Sequence, residues 1–418
     1  MKYDVILTGA DTRQGMVTIR SLARRGVKVF VTGESRRSIG FYSRYVSGFE
    51  QCPRSSDGEA FAEFHADLAR RRGVPFIFPV TESSLVPFNA HRPRIEEAAR
   101  LIAPSVSTID NAIDKRRTLA IAEELGIPIS KTIYPDSTED AVRFAAECGY
   151  PIAIKPRGQG VGASFDFKVL YAKSEAELRE ILAGCEPGSF PMIQEFSFGV
   201  HAQFNCFMEH GETAHSFFQD EALRVLPLTG GVGAMMISRP VNQLLAERAI
   251  AMFRAMRWEG CGQTQFKGPG RDGEYKFIEV SVRLPASVGS SVFSGIDTPW
   301  MQYCYFTGQP VAPVDRYRIG KRTRWLRGDT LTVFKYLVGD TAEAIDPLPS
   351  RARVLFDWFA EFFRPGTRYF VESIRDPVPG LVEFRHALGD LAVVAARVAP
   401  RPVRQLLKRI RRIFSGRN

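Results

Sequence analysis

The first hundred residues alternate short apolar runs with amphipathic helical segments, and this alternation restricts the fold more than any other feature of the chain. Residues 4–8 have a buried-strand pattern, 16–25 a helical pattern and 27–32 a second strand pattern. Another helix and strand follow over 60–79. Such an order predicts an α/β domain with a doubly wound parallel sheet, which we place at residues 1–110.

A glycine turn, Gly9–Gly15, follows the first predicted strand. Its spacing matches neither the dinucleotide-binding pattern of three glycines nor the phosphate-binding loop that ends in Gly-Lys-Ser/Thr. Glycine turns after a first strand are common in α/β sheets. We therefore expect this turn to be architectural and to hold no cofactor.

Composition excludes several classes of protein. With 44% hydrophobic and 24% charged residues the chain is not intrinsically disordered. The six cysteines contain no C-x-x-C pair and the six histidines no H-E-x-x-H motif, so we expect free thiols in a reducing cytoplasm and no zinc site. The chain opens without a signal-peptide pattern and contains no apolar run of about 18 residues, so no membrane span is predicted.

A glycine-rich segment in the middle of the chain predicts a phosphate-covering flap. The strand pattern Ile152–Lys155 ends in Lys-Pro and leads into Arg157-Gly-Gln-Gly-Val-Gly-Ala-Ser164. Backbone N–H groups of such a loop can close over a polyphosphate while Lys155 neutralises its charge. A helix that opens at Asp114-Lys115 supplies a second lysine upstream.

Two predicted strands, 261–267 and 275–280, are joined by a turn at 268–273 that is rich in glycine. In a hairpin of these strands Gln265 and Glu279 can converge. Carboxylate and amide oxygens are the hard ligands that Mg²⁺ prefers. The hairpin therefore predicts a magnesium site.

Four motifs in this order resemble the ATP-grasp superfamily: Asp114-Lys115, Lys155-Pro156 with its glycine loop, Gln194-Glu195-Phe196, and Glu279-Val-Ser281-Val-Arg283. The pattern is most similar to that of the large chain of carbamoyl phosphate synthetase and of predicted carboxylate–amine ligases. The resemblance covers residues 1 to about 310 and implies a two-lobed fold after the first domain. The implied small lobe with the flap occupies 111–190, a lobe with the metal site 191–310, and a mostly helical extension 311–418.

The resemblance implies an enzyme that uses ATP and Mg²⁺, with Mn²⁺ as a substitute ion, to phosphorylate a small-molecule carboxylate. An amine would then capture the acyl phosphate and form a C–N bond. The implied metal ligands are Gln265, Glu279 and Ser281, and the implied catalytic residues are Arg283 and Arg224. The implied nucleotide-binding residues are Lys115, Lys155, Gly158, Gly160, Gly162, Ala163, Ser164, Gln194, Glu195, Phe196 and Gln203.

Two departures from the superfamily pattern leave a second interpretation open. Ser281 stands where the superfamily usually has asparagine, and a hydroxyl is a shorter metal ligand. The glutamate that commonly binds the ribose is absent, which leaves His201 or Gln203 for that contact. The alternative to a ligase is therefore a nucleotide-binding protein that acts as a sensor or scaffold.

Aromatic residues recur over 356–363 at spacings typical of a helix, and we expect the aromatic face to be buried in the core, with contact to lipid or substrate as the alternatives. The two prolines of Asp376-Pro-Val-Pro379 then predict a stop to helical structure.

The formal net charge of +10 is concentrated at the C-terminal end. Eight basic and no acidic residues follow position 390, and the rest of the chain carries 48 basic against 46 acidic residues. Within 400–414 the apolar side chains fall on one helical face and the basic ones on the other. This pattern predicts contact with an anionic membrane surface, while docking on the protein itself or a disordered tail remain alternatives. No aromatic residues interleave with the charges, so a nucleic-acid partner is not expected, and the sequence leaves the oligomeric state open.

Overall fold

A computed structural model of the chain describes residues 2–156, 169–186, 188–226, 231–270, 272–341 and 349–398, which fold around three β-sheets. The first sheet has five parallel strands in the order β3-β2-β1-β4-β5. Its strands are β1 (Val5–Leu7), β2 (Val29–Gly33), β3 (Gly48–Gln51), β4 (Phe76–Phe78) and β5 (Arg100–Leu101). The helices between and after them are α1 (Arg13–Ala23), α2 (Gly58–Arg72), α3 (Glu82–Ala90), α4 (Arg92–Glu96) and α5 (Val106–Ile113). The predicted doubly wound parallel sheet is confirmed.

The glycine turn after β1 is shaped by close packing. Thr12 caps α1 by accepting a hydrogen bond from the Gly15 N–H at 3.1 Å. A Cβ at Gly15 would lie 2.3 Å from the carbonyl oxygen of Gly9. Only glycine allows the first turn of α1 to approach β1 this closely, so the turn has an architectural reason.

The second sheet has four strands and lies mostly within the predicted small lobe. It is antiparallel, in the order β6-β9-β7-β8. Its elements are α6 (Lys115–Glu124), β6 (Thr132–Ile133), α7 (Thr138–Cys148), β7 (Ile152–Lys155), β8 (Leu170–Ala172), α8 (Glu175–Leu182) and β9 (Met192–Glu195). The inner face of this sheet and α7 and α8 share an apolar cluster of their own, which includes Ile154, Leu178 and Ile193.

The third sheet has seven strands in the order β14-β13-β10-β11-β12-β15-β16. All its pairings are antiparallel except that of β15 with β16. Its first elements are β10 (Val200–Glu209), β11 (Thr213–Leu226), β12 (Val232–Arg239), α9 (Gln243–Ala255), β13 (Gly260–Gly268) and β14 (Lys276–Ser281). Those that follow are α10 (Val288–Ser294), α11 (Thr298–Phe306), β15 (Arg322–Arg324), α12 (Leu326–Leu337), α13 (Arg351–Phe363), β16 (Arg368–Tyr369) and α14 (Val378–Val398).

The sheet therefore continues beyond residue 310, because β15 and β16 of the predicted helical extension add to its edge. The extension is also joined to the first domain through Asp376, whose buried carboxylate accepts hydrogen bonds from Arg20 Nε at 3.0 Å and Ser43 Oγ at 2.7 Å. Helix α14 thus begins at Val378, just after the ion pair between Asp376 and Arg20. The division of the chain at 110, 190 and 310 stays a prediction.

The expectation that the aromatic face of 356–363 is buried was wrong. The helix is present as α13, but Phe356, Phe359 and Phe363 are 69%, 57% and 72% exposed. The side chain that α13 does bury completely is Glu361, which accepts hydrogen bonds from Arg322 and Arg364. The ion pairs of Glu361 and the packing of Trp358 and Phe362 on the buried Arg324 guanidinium hold this helix on the protein.

No helix in the described ranges is both long and apolar enough to cross a bilayer. The predicted basic segment 400–414 lies outside the described residues.

Candidate nucleotide and metal site

One face of the large sheet presents polar side chains at every second position of three neighbouring strands. The strand register groups them into three rows: a lysine row of His201 and Lys267, a carboxylate row of Gln203, Gln265 and Glu279, and an amide row of Asn205, Gln263 and Ser281. Because side chains alternate along a strand, the intervening residues point to the opposite face. There Phe204 and Phe266 join the apolar cluster that includes residues of α9. The apolar face therefore anchors the sheet and leaves the polar face for a ligand.

The carboxylate row contains Gln265 and Glu279, the pair that the sequence predicted to converge in a hairpin. Gln265 Nε2 donates to Glu279 Oε1 at 2.9 Å. This bond uses neither the amide oxygen of Gln265 nor the second carboxylate oxygen of Glu279. The two strands thus bring together the hard oxygen atoms expected of a magnesium ligand pair.

The amide row forms a neutral hydrogen-bond network. Gln263 Nε2 donates to Gln203 Oε1 at 3.1 Å and to Asn205 Oδ1 at 3.0 Å. Ser281 Oγ donates to Gln263 Oε1 at 3.0 Å, and Ser287 Oγ donates to Gln203 Oε1 at 2.7 Å. The network fills these buried positions with amides and hydroxyls and supplies no formal negative charge.

The donor set fits one Mg²⁺ better than two. Glu279 and Gln265 offer a carboxylate and an amide oxygen, which suits an ion that takes its other ligands from phosphates and water. Across the ranges that the structure describes, no three His, Cys, Asp or Glu side chains cluster as a metal-binding group. The hydroxyl proton of Ser281 is directed at Gln263, and its predicted metal contact stays a prediction.

Lys155 ends β7 and faces the same region. Its Nζ donates to Gln194 Oε1 at 2.6 Å, on the neighbouring strand β9. The pKa of Lys155 is lowered to about 8, mainly by burial and also by the positive charges of Lys115 and Lys267, while the negative charge of Glu279 opposes the shift. These four charged groups are therefore close enough to act on one another, as a phosphate site requires.

Lys115 reaches this region because it is the first residue of α6, which Asp114 caps by accepting hydrogen bonds from the N–H groups of Arg116 and Arg117. Helix α6 packs against β14, the strand that carries Glu279. The predicted pair Lys115 and Lys155 is thus brought together by two different elements of the small lobe.

The segment Gln194-Glu195-Phe196 joins the two lobes. Glu195 forms an ion pair with Lys276 of β14, at 3.1 Å between Nζ and Oε2. The ring of Phe196 lies edge-on to Tyr171 and to Phe198. Lys267 Nζ lies 4.1 Å from the centre of the Phe196 ring, a cation–π distance. The segment therefore presents an aromatic surface beside the lysines, as a purine would require.

Lys267 is a site residue that sequence reasoning missed. It stands two residues after Gln265, so strand alternation alone places it on the same face. Its row partner His201 has its pKa lowered to about 4, first by burial and then by the charges of Lys267 and Lys155. His201 is thus neutral near pH 7 and can serve as a hydrogen-bonding group, although the ribose contact predicted for His201 or Gln203 stays a prediction.

The two predicted catalytic arginines lie in different surroundings. Burial lowers the pKa of Arg283, and the charges of Glu82 and Glu279 oppose this shift. Its Nη1 donates to the carbonyl oxygen of Leu284 at 3.1 Å. Arg224 instead makes a two-pronged ion pair with the buried carboxylate of Asp329 on α12. Asp329 also accepts from Arg324 Nε at 2.6 Å. The described contact of Arg224 is structural, and its predicted role toward substrate stays a prediction.

The predicted flap residues Gly158, Gly160, Gly162, Ala163 and Ser164 lie outside the described residues.

Comparisons with known proteins agree with this geometry. No family model matches the chain. It is 29% identical over 204 residues to the large chain of carbamoyl phosphate synthase from Methanothermobacter thermautotrophicus, which covers 46% of this chain and 19% of that protein. The corresponding protein of Caldanaerobacter subterraneus subsp. tengcongensis is 26% identical over 200 residues, 45% of this chain and 18% of its own length. The chain thus spans about a fifth of these curated relatives.

Solved structures extend the similarity beyond the matched segment. N5-carboxyaminoimidazole synthetase from Staphylococcus aureus superposes with a TM-score of 0.60 at 14% identity, over 87% of this chain and 98% of that one. The biotin carboxylase domain of the Hydrogenobacter thermophilus 2-oxoglutarate carboxylase gives 0.59 at 16% identity, over 77% of this chain and 73% of that one. The chain has the ATP-grasp fold. The resemblance inferred from four short motifs is therefore confirmed.

Proposed function

We propose that this ATP-grasp protein is an ATP- and Mg²⁺-dependent ligase that joins a carboxylate to an amine through an acyl phosphate. The observation that carries the proposal is the convergence of Lys115, Lys155 and Lys267 with Glu279, next to the aromatic surface of Phe196. Three cations around one carboxylate suit a polyphosphate with its divalent ion better than any neutral ligand.

In this reaction a carboxylate oxygen of the substrate attacks the γ-phosphorus of ATP, and ADP leaves. The amine then attacks the acyl carbon, phosphate departs, and the amine loses a proton. Lys115 and Lys155 would hold the phosphates, and Arg283 would stabilise the charge that develops on the transferred group. Glu279 and Gln265 would hold Mg²⁺, whose charge offsets that of the phosphate oxygens.

Structural neighbours support the choice of nucleotide and ion. The Hydrogenobacter thermophilus domain was solved with MgADP, ADP and bicarbonate, and a biotin carboxylase from Campylobacter jejuni with an ATP analogue. We infer the same nucleotide and metal for this chain, with Mn²⁺ as a substitute of similar ligand preference. The carboxylate and amine substrates are small molecules whose identity the site residues do not specify.

The ligase proposal is tested by release of ADP and phosphate in the presence of paired carboxylates and amines. Turnover that needs both substrates is expected, and the variant Glu279→Gln should lose it. The exposed Glu212→Gln is the matched control, because Glu212 lies in the turn between β10 and β11. Tight ATP binding without turnover across a broad panel of pairs would count against the proposal.

The neutral amide row favours a second candidate function, a nucleotide-binding sensor or scaffold. Ser281 and Gln263 bond to each other and add no negative charge near the phosphate site. Calorimetry of ATP binding with and without Mg²⁺ distinguishes the two functions. Binding of equal affinity without the ion would favour the sensor, whereas binding that requires the ion favours the ligase.

We also propose that residues 400–414 attach the protein to the cytoplasmic face of an anionic membrane. Their alternation of basic and apolar side chains supports this location. Flotation of the full chain with lipid vesicles is compared with that of a chain ending at residue 399. Equal flotation of both would contradict the attachment.

A further inference from the structure

Helix α13 exposes a continuous aromatic and aliphatic face. Its members are Leu355, Phe356, Phe359, Phe362 and Phe363, each between 43% and 72% exposed. With 3.6 residues per turn they fall within an arc of about 120°. We call this surface the aromatic face. Large apolar patches on a protein surface usually mark a binding site for another protein or a membrane.

The aromatic face is not the side by which α13 attaches to the protein. Glu361 is buried on a different side of the helix and is held by Arg322 at 3.1 Å and by Arg364 at 3.2 Å. Trp358 lies near that side, where its carbonyl oxygen accepts from Arg324 Nη2 at 3.0 Å. Phe362, at the edge of the aromatic face, packs on Arg324, whose guanidinium carbon lies 4.3 Å from the ring centre. These contacts orient the helix and leave Phe356, Phe359 and Phe363 more than half exposed.

Cations surround the aromatic face at both ends. Near its C-terminal end lies Lys321. Its Nζ is close to Gly366, three residues after Phe363, at 3.5 Å from the position that a Cβ of residue 366 would occupy. Burial lowers the pKa of Lys321, and the nearby charges of Arg368 and Arg318 lower it further. The neighbouring Ile319 is 60% exposed among these cations. Near the N-terminal end the exposed Arg351 and Arg353 begin the helix.

The acidic residues of α13 offset only part of this charge, because Asp357 pairs with Arg353 and Glu361 with Arg322. The segment 316–324 has five basic residues and no acidic one. Two of them, Arg322 and the buried Arg324, are paired within the protein, and the other three are Arg316, Arg318 and Lys321. The surroundings of the aromatic face therefore carry a positive surplus.

The end of α14 lies beside the start of α13. Arg397 forms an ion pair with Asp340 just after α12, at 3.5 Å. The Tyr336 hydroxyl, in the last turn of α12, donates to the carbonyl oxygen of Pro349, which precedes α13. The described part of α14 therefore ends near the start of α13, and the sequence of 400–414 combines apolar and basic residues as that of α13 does.

We propose that the aromatic face lies on an anionic lipid bilayer, with its phenyl rings among the acyl chains and the flanking cations at the headgroups. Apolar side chains and cations together are the combination that binds anionic bilayers, since burial and electrostatic attraction add. A second copy of the chain fits less well, because a symmetric contact would bring these cationic surroundings against their own copies. The inference extends the contact proposed for 400–414 and is independent of the ligase activity.

The experiment compares flotation of the full chain with vesicles of phosphatidylcholine alone and of phosphatidylcholine with 30% phosphatidylglycerol, about the anionic fraction at which such surfaces bind. The test variant combines Phe356→Gln, Phe359→Gln and Phe363→Gln, which keep good helix formers at exposed positions. We expect the partition onto anionic vesicles to fall about tenfold or more, with little binding to neutral vesicles by either protein.

The matched control combines Leu125→Gln, Phe217→Gln and Leu244→Gln, three exposed apolar residues on the ATP-grasp lobes. It should float like the unaltered chain, and circular dichroism should show all three proteins folded.

Flotation of the test variant equal to that of the unaltered chain would overturn the proposal, as would failure of the unaltered chain to bind anionic vesicles. A change from dimer to monomer by light scattering without a change in flotation would assign the face to a second copy instead. ADP release in the same preparations should be unchanged, so this test and that of the ligase fail separately.

Discussion

The carboxylate row and the amide row lie side by side on one sheet face, on the same strands, yet they have opposite chemistry. Both pair a glutamine of β13 with a polar residue of β14: Gln265 with Glu279, and Gln263 with Ser281. In the carboxylate row a formal charge faces the lysines of the small lobe. In the amide row every named polar group is directed at another neutral group of the protein. The first row suits the metal ion that we propose for it, and the second stabilises the sheet.

The comparison shows how little sequence separates the two roles. The two rows are only two residues apart on each strand, yet one attracts cations and the other is a network whose polar groups hydrogen-bond to one another. Charge makes the difference, because a buried carboxylate requires a cationic partner whereas buried amides and hydroxyls can satisfy one another. Four measurements can break or sharpen this contrast.

The largest effect is expected from Glu279→Gln, which removes the formal charge of the carboxylate row but keeps its shape. Turnover should fall about 10²–10³-fold, as for loss of one preorganised electrostatic contact. Steady-state release of ADP measures it. If turnover survived this change, the carboxylate row would have no special role.

Gln263→Leu should cost stability rather than chemistry. The change removes the bonds that the buried Gln263 makes with Gln203 Oε1, with Asn205 Oδ1 and with the hydroxyl of Ser281. The free energy of unfolding should drop by about 2–4 kcal/mol, measured by denaturant titration. Gln265→Leu loses one bond to a partly exposed partner and should cost less; equal losses would mean that the two rows are equivalent.

The pH dependence of ATP affinity should report the charge around the carboxylate row. Lys155 has its pKa lowered to about 8, and bound phosphates would raise it again. Affinity is then fully present below pH 8 and is lost as pH rises above it, by up to about tenfold per unit. Calorimetry from pH 7 to pH 9 measures the loss. Lys155→Arg keeps its charge throughout this range and should show a flat profile; a parallel decline would assign the effect to another group.

The smallest effect is expected from Ser281→Ala, which removes one hydroxyl of the amide row. Stability should fall by about 1 kcal/mol and ADP release should stay close to that of the unaltered chain. Chemical denaturation and the same ADP assay provide both values. A large loss of turnover with little loss of stability would instead show that Ser281 serves the metal.

Much of the fold could be predicted because strand and helix periods are local properties. The parallel sheet of the first domain, the helix that opens at Asp114 and the hairpin of β13 and β14 all follow from short segments. The long strand β11 escaped prediction. It contains Ser216 at a positive φ and register shifts around Arg224, and both interrupt the alternation by which a strand is recognised.

For the site, sequence order placed Lys155, Gln265 and Glu279 in strands but could not show which side chains meet. Strand alternation from Gln265 could have placed Lys267 on this face, but its contact with Phe196 links segments that are far apart in the chain. Arg224 was predicted to face substrate, whereas its described partner is Asp329, over a hundred residues away. Such pairings depend on how separate elements dock.

The sequence by itself determined the order of strands and helices, the nucleotide motifs and the basic end of the chain, since each rests on spacing within a short segment. Only the tertiary structure decided which polar residues became the carboxylate row and which the amide row, because the choice depends on where the small lobe brings its lysines. It also decided that α13 turns its phenyl rings outward. Helical periodicity shows that a face is apolar, but only the neighbouring elements determine whether anything covers it.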